Sequence, residues 1–540
     1  MRFSDFSYLG FDLDHTIIRY RLDALAGLSA RCILGELATN PPPAPFPKPP
    51  TSWDQVTDLI HPALISSVAI KGMTICKKSG EMWIPDGAGE RGGTVYRGAD
   101  VVRTSTGEPT TKRRRGSPSC QPDGDSDAVF RGVSSSCYFP LHTYFDTVAG
   151  QIFAACVAQC EAARAVDDCS ERDYRPLADH LYRCLGAVWG DWAGSPYFAA
   201  FREDPSRFIK RRRFFARWAK QVRSGPATTR PRLFLLTNSF PEYTALLAEY
   251  ALGPDWRDCF DLIMYQGQKP YFFLNTADNQ QPFFHTSVSL GSGQRAYSSA
   301  TDWEAPLTMD QLLAVGASVA DATTPAPELI QGTVRDLHRI FVGAARADGT
   351  SPDATTVAYF GDHLVGDAFV PHHLQNWTAI GILEEIHALE LACKVGVGAS
   401  RRQHMHDDEH EDTDSEESLD IQAAGKTVHN DGASTAGSHH LITGPPSSDF
   451  WGTYFFSETG DPTYYCRLAS SCCALLVSDL RHICAVPLDH EYSTSNATHL
   501  HMAVDESSLP ELAYPEVAVE NLEVAALPAV IAEVQGHSPK

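Results

Sequence analysis

Two carboxylates, Asp12 and Asp14, close the apolar run YLGFDLDHTIIRY (residues 8–20) with a single leucine between them. Side chains alternate along a strand, so both acids face one way and Leu13 the other. Burying such a pair is costly unless the acids are paired or hold a metal ion. Three further apolar runs end in reactive groups: RLFLLTNSF in Thr237-Asn238-Ser239, CFDLIMYQGQK in Lys269, and TTVAYFGDHLVGDAF in Asp362 and Asp367. Carboxylates with oxygen donors and no soft ligand suit a hard cation such as Mg2+. A lysine and a hydroxyl beside them suit a phosphoryl group, whose oxygens need charge stabilisation. A carboxylate in that setting can itself be the nucleophile, forming an aspartyl phosphate.

Ligands of an open parallel sheet bind outside the carboxyl ends of its strands, so the four runs read as strands of one such sheet. Helix-like stretches separate them, PEYTALLAEYAL (241–252) and LIQGTVRDLHRIFVGAA (329–345), and WTAIGILEEIHALELA (377–392) reads as one more strand and helix. The alternation implies the α/β class, with helices on both faces of the sheet. After the first strand, the Pro-rich NPPPAPFPKPP (40–50) can be neither helix nor sheet. Residues 51–75 read as a helix and a strand, 79–98 as a hairpin with Gly-rich turns, and 139–223 as helices with apolar residues at three and four spacing. The basic cluster Lys210–Arg213 falls on the last of these and reads as a solvated helix face. Residues 103–136, which include KRRRG, and the acidic 398–448, which include HMHDDEHED, read as disordered.

The order and types of the four loaded strand ends resemble the haloacid dehalogenase superfamily. More narrowly, GFDLDHTIIRY, LLTNSFPEYT and YFGDHLVGDAF with NWTAIGILEE are similar to the cytosolic purine (IMP/GMP-type) 5'-nucleotidases. KGMTICKKSGEMWIPD (71–86), WGTYFF (451–456) and AVPLDHEY (485–492) extend the likeness, which covers most of 5–98, 138–275 and 329–500. The resemblance implies a doubly wound, Rossmann-like core of haloacid dehalogenase type, built from 1–25 and 205–395. It also implies a mainly helical cap insertion over 26–204, ordered elements at 449–500 packed on the core, and an acidic tail over 501–540. The implied activity is Mg2+-dependent release of phosphate from a nucleoside 5'-monophosphate through an aspartyl phosphate. Asp12 would be the nucleophile and Asp14 the general acid and base. Asp12, the Asp14 backbone carbonyl and Asp362 would hold the metal, with Asp367 in support. Thr237 and the Asn238 backbone would grip phosphoryl oxygens, and Lys269 would neutralise charge between the phosphate and Asp12. His15 reads as a packing residue of the turn, and Trp189, Trp192 and Tyr197 as core residues that a base could also stack on. A catalytically silent interaction protein and a phosphatase for another monoester stay open as alternatives, and the likeness leaves room for a homo-oligomer.

Composition sets outer bounds. A chain of 540 residues with 43% hydrophobic content buries a large core, divided among two or three domains. The net charge of −23 is uneven: residues 401–449 carry 11 acidic against 3 basic residues, and 499–539 carry 7 acidic residues and no Lys or Arg. That balance argues against non-specific nucleic-acid binding. No window approaches ~20 uninterrupted apolar residues, so no membrane span is expected. The 14 cysteines are scattered, which reads as reduced thiols. No signal-peptide pattern precedes the first strand, and the expected compartment is the cytosol.

Overall fold

Runs of four or five apolar residues, buried throughout, build the centre of the main sheet, the pattern of parallel strands covered on both sides. The computed structural model describes residues 1–60, 71–86, 93–103, 137–163, 173–226, 229–274, 281–285, 306–321, 323–386, 447–448, 452–455 and 461–492. Strand β1 (Tyr8–Phe11) opens the fold and leads through the Asp12–Asp14 turn into a long insertion. The insertion carries α1 (Leu22–Thr39) and α2 (Trp53–Leu59), then strands β2 (Thr74–Cys76), β3 (Glu81–Trp83), β4 (Val95–Arg97), β5 (Asp100–Arg103) and β6 (Tyr138–Pro140). These five strands form an antiparallel sheet, and α3 (Thr147–Ala162), α4 (Arg175–Gly190) and α5 (Pro196–Glu203) follow. The chain returns through α6 (Arg213–Arg223), β7 (Arg232–Leu236), α7 (Pro241–Ala251), β8 (Leu262–Tyr265) and β9 (Phe283–His285). Next come α8 (Met309–Ala320), β10 (Glu328–Gln331), α9 (Val334–Asp348), β11 (Val357–Gly361), α10 (Val370–Gln375) and β12 (Thr378–Ile382). A ribbon of β13 (Ser447–Ser448) and β14 (Gly452–Thr453), helix α11 (Tyr464–Cys472), β15 (Cys473–Val477) and α12 (Arg481–Cys484) end the described elements.

The main sheet has the order β15-β12-β11-β1-β7-β8-β10-β9 and is parallel except for β9. Strand β1 sits between β7 and β11, with Tyr8 opposite both Arg232 and Val357. The parallel strands run outward from β1 in chain order in both directions, and the antiparallel β9 pairs outside β10. The crevice beyond its carboxyl end is therefore the topological switch point, where such sheets bind ligands. Leu9, Phe11, Leu233 and Leu235 join one apolar cluster, and Tyr8, Phe234, Leu236 and Tyr359 another, so both faces are covered. The first cluster runs on without a break into Ile33, Phe153 and Phe201 of the insertion.

Two local expectations change. Residues 329–345 are not one helix: Leu329 and Ile330 point into opposite clusters from β10, which pairs with β8 and β9. Gly332, at φ 86°, turns the chain, and Thr333 caps α9 by accepting the Asp336 N–H. A two-residue apolar start cannot by itself separate strand from helix. The basic cluster is not a solvated helix face either, since Lys210–Arg212 precede α6 and Arg212 is buried against Asp479 in two bonds of 2.8 and 2.6 Å. The stretches expected to be disordered, 103–136 and 398–448, lie outside the described residues apart from Arg103 and Ser447–Ser448, as does the acidic tail over 501–540. Among the described residues no helix is long and apolar enough to cross a membrane.

The Arg212–Asp479 pair belongs to a clasp. Arg19, just beyond the Asp12–Asp14 turn, reaches Glu384 after β12 at 2.7 Å and Asp479 after β15 at 3.4 Å. Burial opposes the Glu384 charge, but Arg19 outweighs it and holds the carboxyl at about 2, below its ordinary 4.5. A depressed carboxylate stabilises the fold above the unfolded value, and that contribution fades as pH falls toward the folded one. Arg19→Met is therefore expected to cost up to about 3 kcal/mol at neutral pH. The gap to the unmodified protein should narrow between pH 4.5 and 2, as followed by denaturant midpoints across that range. A gap independent of pH would show that the pair is not its source.

Candidate active site

Because β1, β7 and β11 run parallel and in register, the residues following them leave the sheet along one edge. Asp12 follows β1, its N–H donating to the Phe360 carbonyl at 2.8 Å, while Thr237 follows β7 and Asp362 follows β11. Lys269 arrives from the loop after β8, where Gln266 and Gln268 take positive φ values of 50° and 53°. Such left-handed residues are uncommon outside glycine and concentrate at functional sites. His15, directly after Asp14, is another at φ 56°. Asp367 lies on a π-helical turn, Leu364–Phe369. A Cβ at Gly361 would collide with the Asp367 side chain, so glycine there lets this carboxylate fold back onto the strand end.

The side chains converge. Lys269 Nζ lies 2.7 Å from Asp12 Oδ1, 2.7 Å from Asp367 Oδ1 and 3.0 Å from the Tyr359 hydroxyl. Oxygens of Asp12, Asp362 and Asp367 all fall within 4.8 Å of one another. Lys71, in the segment leading into β2, reaches Asp362 Oδ2 at 3.2 Å and Glu385 Oε1 at 3.1 Å. Its ammonium also sits 4.8 Å from the centre of the Tyr144 ring. Asp14 Oδ1 accepts the Tyr20 hydroxyl at 2.5 Å and Oδ2 accepts the Ser239 hydroxyl at 2.7 Å. The Asn238 side chain clamps the Lys269 backbone, its amide donating to Lys269 O at 3.1 Å and its carbonyl accepting Lys269 N–H at 2.7 Å.

The electrostatics are lopsided. As carboxylates, Asp12, Asp14, Asp362, Asp367 and Glu385 exceed the two ammonium groups of Lys71 and Lys269 by three charges. Burial, with Asp367, Asp14 and Asp362 close by, pushes the Asp12 carboxyl well above its ordinary range against the pull of Lys269. Burial also raises Asp14, and the bonds from Tyr20 and Ser239 oppose it. Burial disfavours the Lys269 charge, but Asp12 and Asp367 more than restore it. An excess of clustered anionic oxygens is what a hard divalent cation relieves, and the donor set fits one.

A cavity of about 320 Å³ opens onto these groups. Asp12, Asp14, Asn238, Ser239, Lys269, Asp362 and Asp367 line its floor, and Phe145, Trp189, Tyr197, Phe198, Phe240 and Tyr243 form an aromatic wall. Asp146 also faces it. Burial lifts its carboxyl to about 6, against a bond from the Thr143 hydroxyl at 2.9 Å. Thr237 is fully buried, its hydroxyl accepts the Ser239 N–H at 3.0 Å, and it is not among the lining residues. Of the residues a base could stack on, Trp189 and Tyr197 line the cavity, whereas Trp192 packs on Phe198 and Tyr243.

The sequence as a whole decides the lineage. The sequence model of the 5' nucleotidase family matches residues 1–503. The chain belongs to the 5' nucleotidase family. Similar proteins include 5'-nucleotidase domain-containing protein 1 of Homo sapiens, 24% identical over 319 residues, which are 56% of this chain and 55% of that protein. The protein of the same name from Bos taurus is 23% identical over 393 residues, 70% of this chain and 72% of that one. The chain thus spans about half the length of the human relative. In this 5' nucleotidase family chain, sequence patterns leave Tyr20, Lys71 and Glu385 unmarked. Lys71 lies in the apolar SSVAIKGMTI, where a lone lysine is the one available hint, and Glu385 lies in GILEEI, acids closing an apolar strand as at the other site residues.

Proposed function

We propose that the protein is a Mg2+-dependent phosphohydrolase that releases phosphate from nucleoside 5'-monophosphates through a phosphorylated Asp12. One observation carries this reading: Asp12, Asp14, Lys269 and Asp362 meet at the switch point of a parallel sheet, on the floor of a cavity with an aromatic wall. Asp12, the backbone carbonyl of Asp14 and Asp362 would hold the ion, with Asp367 behind them, and the ion would supply charge neutralisation to the phosphoryl oxygens.

An oxygen of Asp12 bonds to phosphorus as the bond to the ester oxygen breaks, and Asp14 gives that oxygen its proton. Asp14, now a carboxylate, takes a proton from the water that attacks phosphorus, and the bond to Asp12 breaks as phosphate leaves. Lys269 keeps the phosphate and the Asp12 carboxylate from repelling each other on approach, and Asn238 holds the lysine loop in place. The phosphoryl grip falls to the Asn238 backbone in the cavity, with Thr237 shaping the turn from below, since Ser239 gives its hydroxyl proton to Asp14.

The main sheet is read as the doubly wound core, with residues 26–204 as a cap whose Phe145, Trp189 and Tyr197 offer ring faces to a base. Asp146, close to Phe145, offers an acceptor at the same end. Phosphate release from a panel of nucleoside 5'-monophosphates, sugar phosphates and phosphopeptides, with Mg2+ and with chelator, tests the reading. Nucleotide hydrolysis that stops with chelator is the expected result. Preference for a sugar phosphate or phosphopeptide would overturn the substrate class, and inertness toward the whole panel would favour a silent binding protein.

A further inference from the structure

We infer that Tyr20 is a positioning residue that drives proton transfer from Asp14 to the leaving oxygen. The inference rests on the phosphohydrolase reading and adds to it a group that does not touch substrate. Tyr20 is 2% exposed and is absent from the residues lining the cavity, yet its hydroxyl lies 2.5 Å from Asp14 Oδ1. Ser239 holds the other oxygen at 2.7 Å, so the carboxyl plane is fixed from both ends. Each carboxyl oxygen keeps a second lone-pair site, and that site carries the proton to be given away. The Tyr243 hydroxyl lies 3.2 Å from that of Tyr20. Tyr20 has a single proton and commits it to Asp14, so Tyr243 donates to Tyr20. The result is a directed chain, Tyr243 to Tyr20 to Asp14, running from the cavity wall to the acid.

The position of Tyr20 is set by the root of the insertion. Its backbone bridges Ile209, while Arg21 N–H donates to Phe208 O at 2.7 Å and Lys210 N–H donates to Arg19 O at 2.9 Å. The insertion's exit and return therefore hold the ring against the acid.

The chemistry gives the chain a selective effect. As the phosphorus–oxygen bond breaks, its electron pair goes to the ester oxygen, which takes the Asp14 proton and leaves Asp14 as an anion. A hydroxyl bond to a carboxylate is about twice as strong as one to a neutral acid. The Tyr20 and Ser239 bonds therefore strengthen as the transition state forms, and only such interactions accelerate the step. A nucleoside leaves as an alcohol and needs the proton, whereas p-nitrophenolate leaves as a stable anion and does not.

The test compares kcat/KM for a nucleoside 5'-monophosphate and for p-nitrophenyl phosphate in the full-length enzyme and in Tyr20→Phe. The ratio of nucleotide to aryl kcat/KM is expected to fall about 10-fold, or about 1.4 kcal/mol. Ser239→Ala, which removes the bond to the other oxygen, should shift the ratio the same way, and it serves should Tyr20→Phe fold poorly. Equal losses on the two substrates, or none, would leave Tyr20 a merely structural residue and overturn the inference while the phosphohydrolase reading stands. An unmodified enzyme that hydrolyses neither ester would bring down the reading and the inference together.

Discussion

Asp12→Asn is expected to abolish phosphate release, lowering kcat by at least about 10⁴-fold, while the protein stays folded. Spontaneous hydrolysis of phosphate monoesters is slow enough that accelerations near ~10²¹ are known, so little activity survives loss of the group that bonds to phosphorus. Asparagine matches aspartate in shape and removes only the charge and the nucleophilic oxygen pair. Lys269 is not orphaned, because Asp367 still holds it at 2.7 Å. The buried cluster loses one of its surplus negative charges, so the fold is relieved of some repulsion. The thermal midpoint in the absence of metal should therefore stay equal or rise. The covalent step has its own readout: enzyme quenched in acid after brief exposure to labelled nucleotide should carry label that hydroxylamine removes, and the Asn variant should carry none. An Asn variant that still turns over, or a labelled residue other than Asp12, would end the proposed mechanism.

What the sequence discloses follows from which forces are local. Asp12, Asp14, Lys269 and Asp362 are legible because each ends an apolar strand, and a parallel sheet gathers such ends on one edge without further instruction. Asp367 follows Asp362 closely, and Gly361 leaves the space it needs. Thr237 shows the limit of this logic. Its residue type and position match the expectation, but its burial beneath the cavity and the acceptance of the Ser239 N–H by its hydroxyl oxygen are packing outcomes that chain order does not reveal. The strand over Glu328–Gln331 is hidden for a similar reason, since only pairing with β8 and β9 separates its two apolar residues from the first turn of the helix. Tyr20 and Lys71 are hidden more deeply. Tyr20 meets Asp14 six residues back only because its backbone is held to Ile209 across the root of the insertion, and Lys71 meets Asp362 from 291 residues away, so no local period encodes either meeting.

Lys71→Met is expected to be the most destabilising single change at the site, by about 3–5 kcal/mol, because removing one partner strands buried charge without compensation. Lys71 and Glu385 are 1% and 0% exposed, and Asp362 is 6% exposed, so water cannot replace the lost ammonium. Methionine fills much the same volume, so the loss reads charge and not a cavity. Adding Glu385→Gln to Lys71→Met should recover part of the loss, since one of the two stranded carboxylates becomes neutral and the two substitutions act within one network. Metal offers a second handle. With Lys71 gone the cluster has one more uncompensated negative charge, so a divalent cation that binds only the folded protein should raise the thermal midpoint of the variant more than that of the unmodified enzyme. A stability within about 1 kcal/mol of the unmodified protein, with no added response of the midpoint to Mg2+, would show that the insertion does not supply the acidic cluster with a needed charge. The expected result would instead make the insertion part of the electrostatic balance of the site, so that the segment forming the cavity wall could not leave the core without exposing the carboxylates proposed to hold the ion.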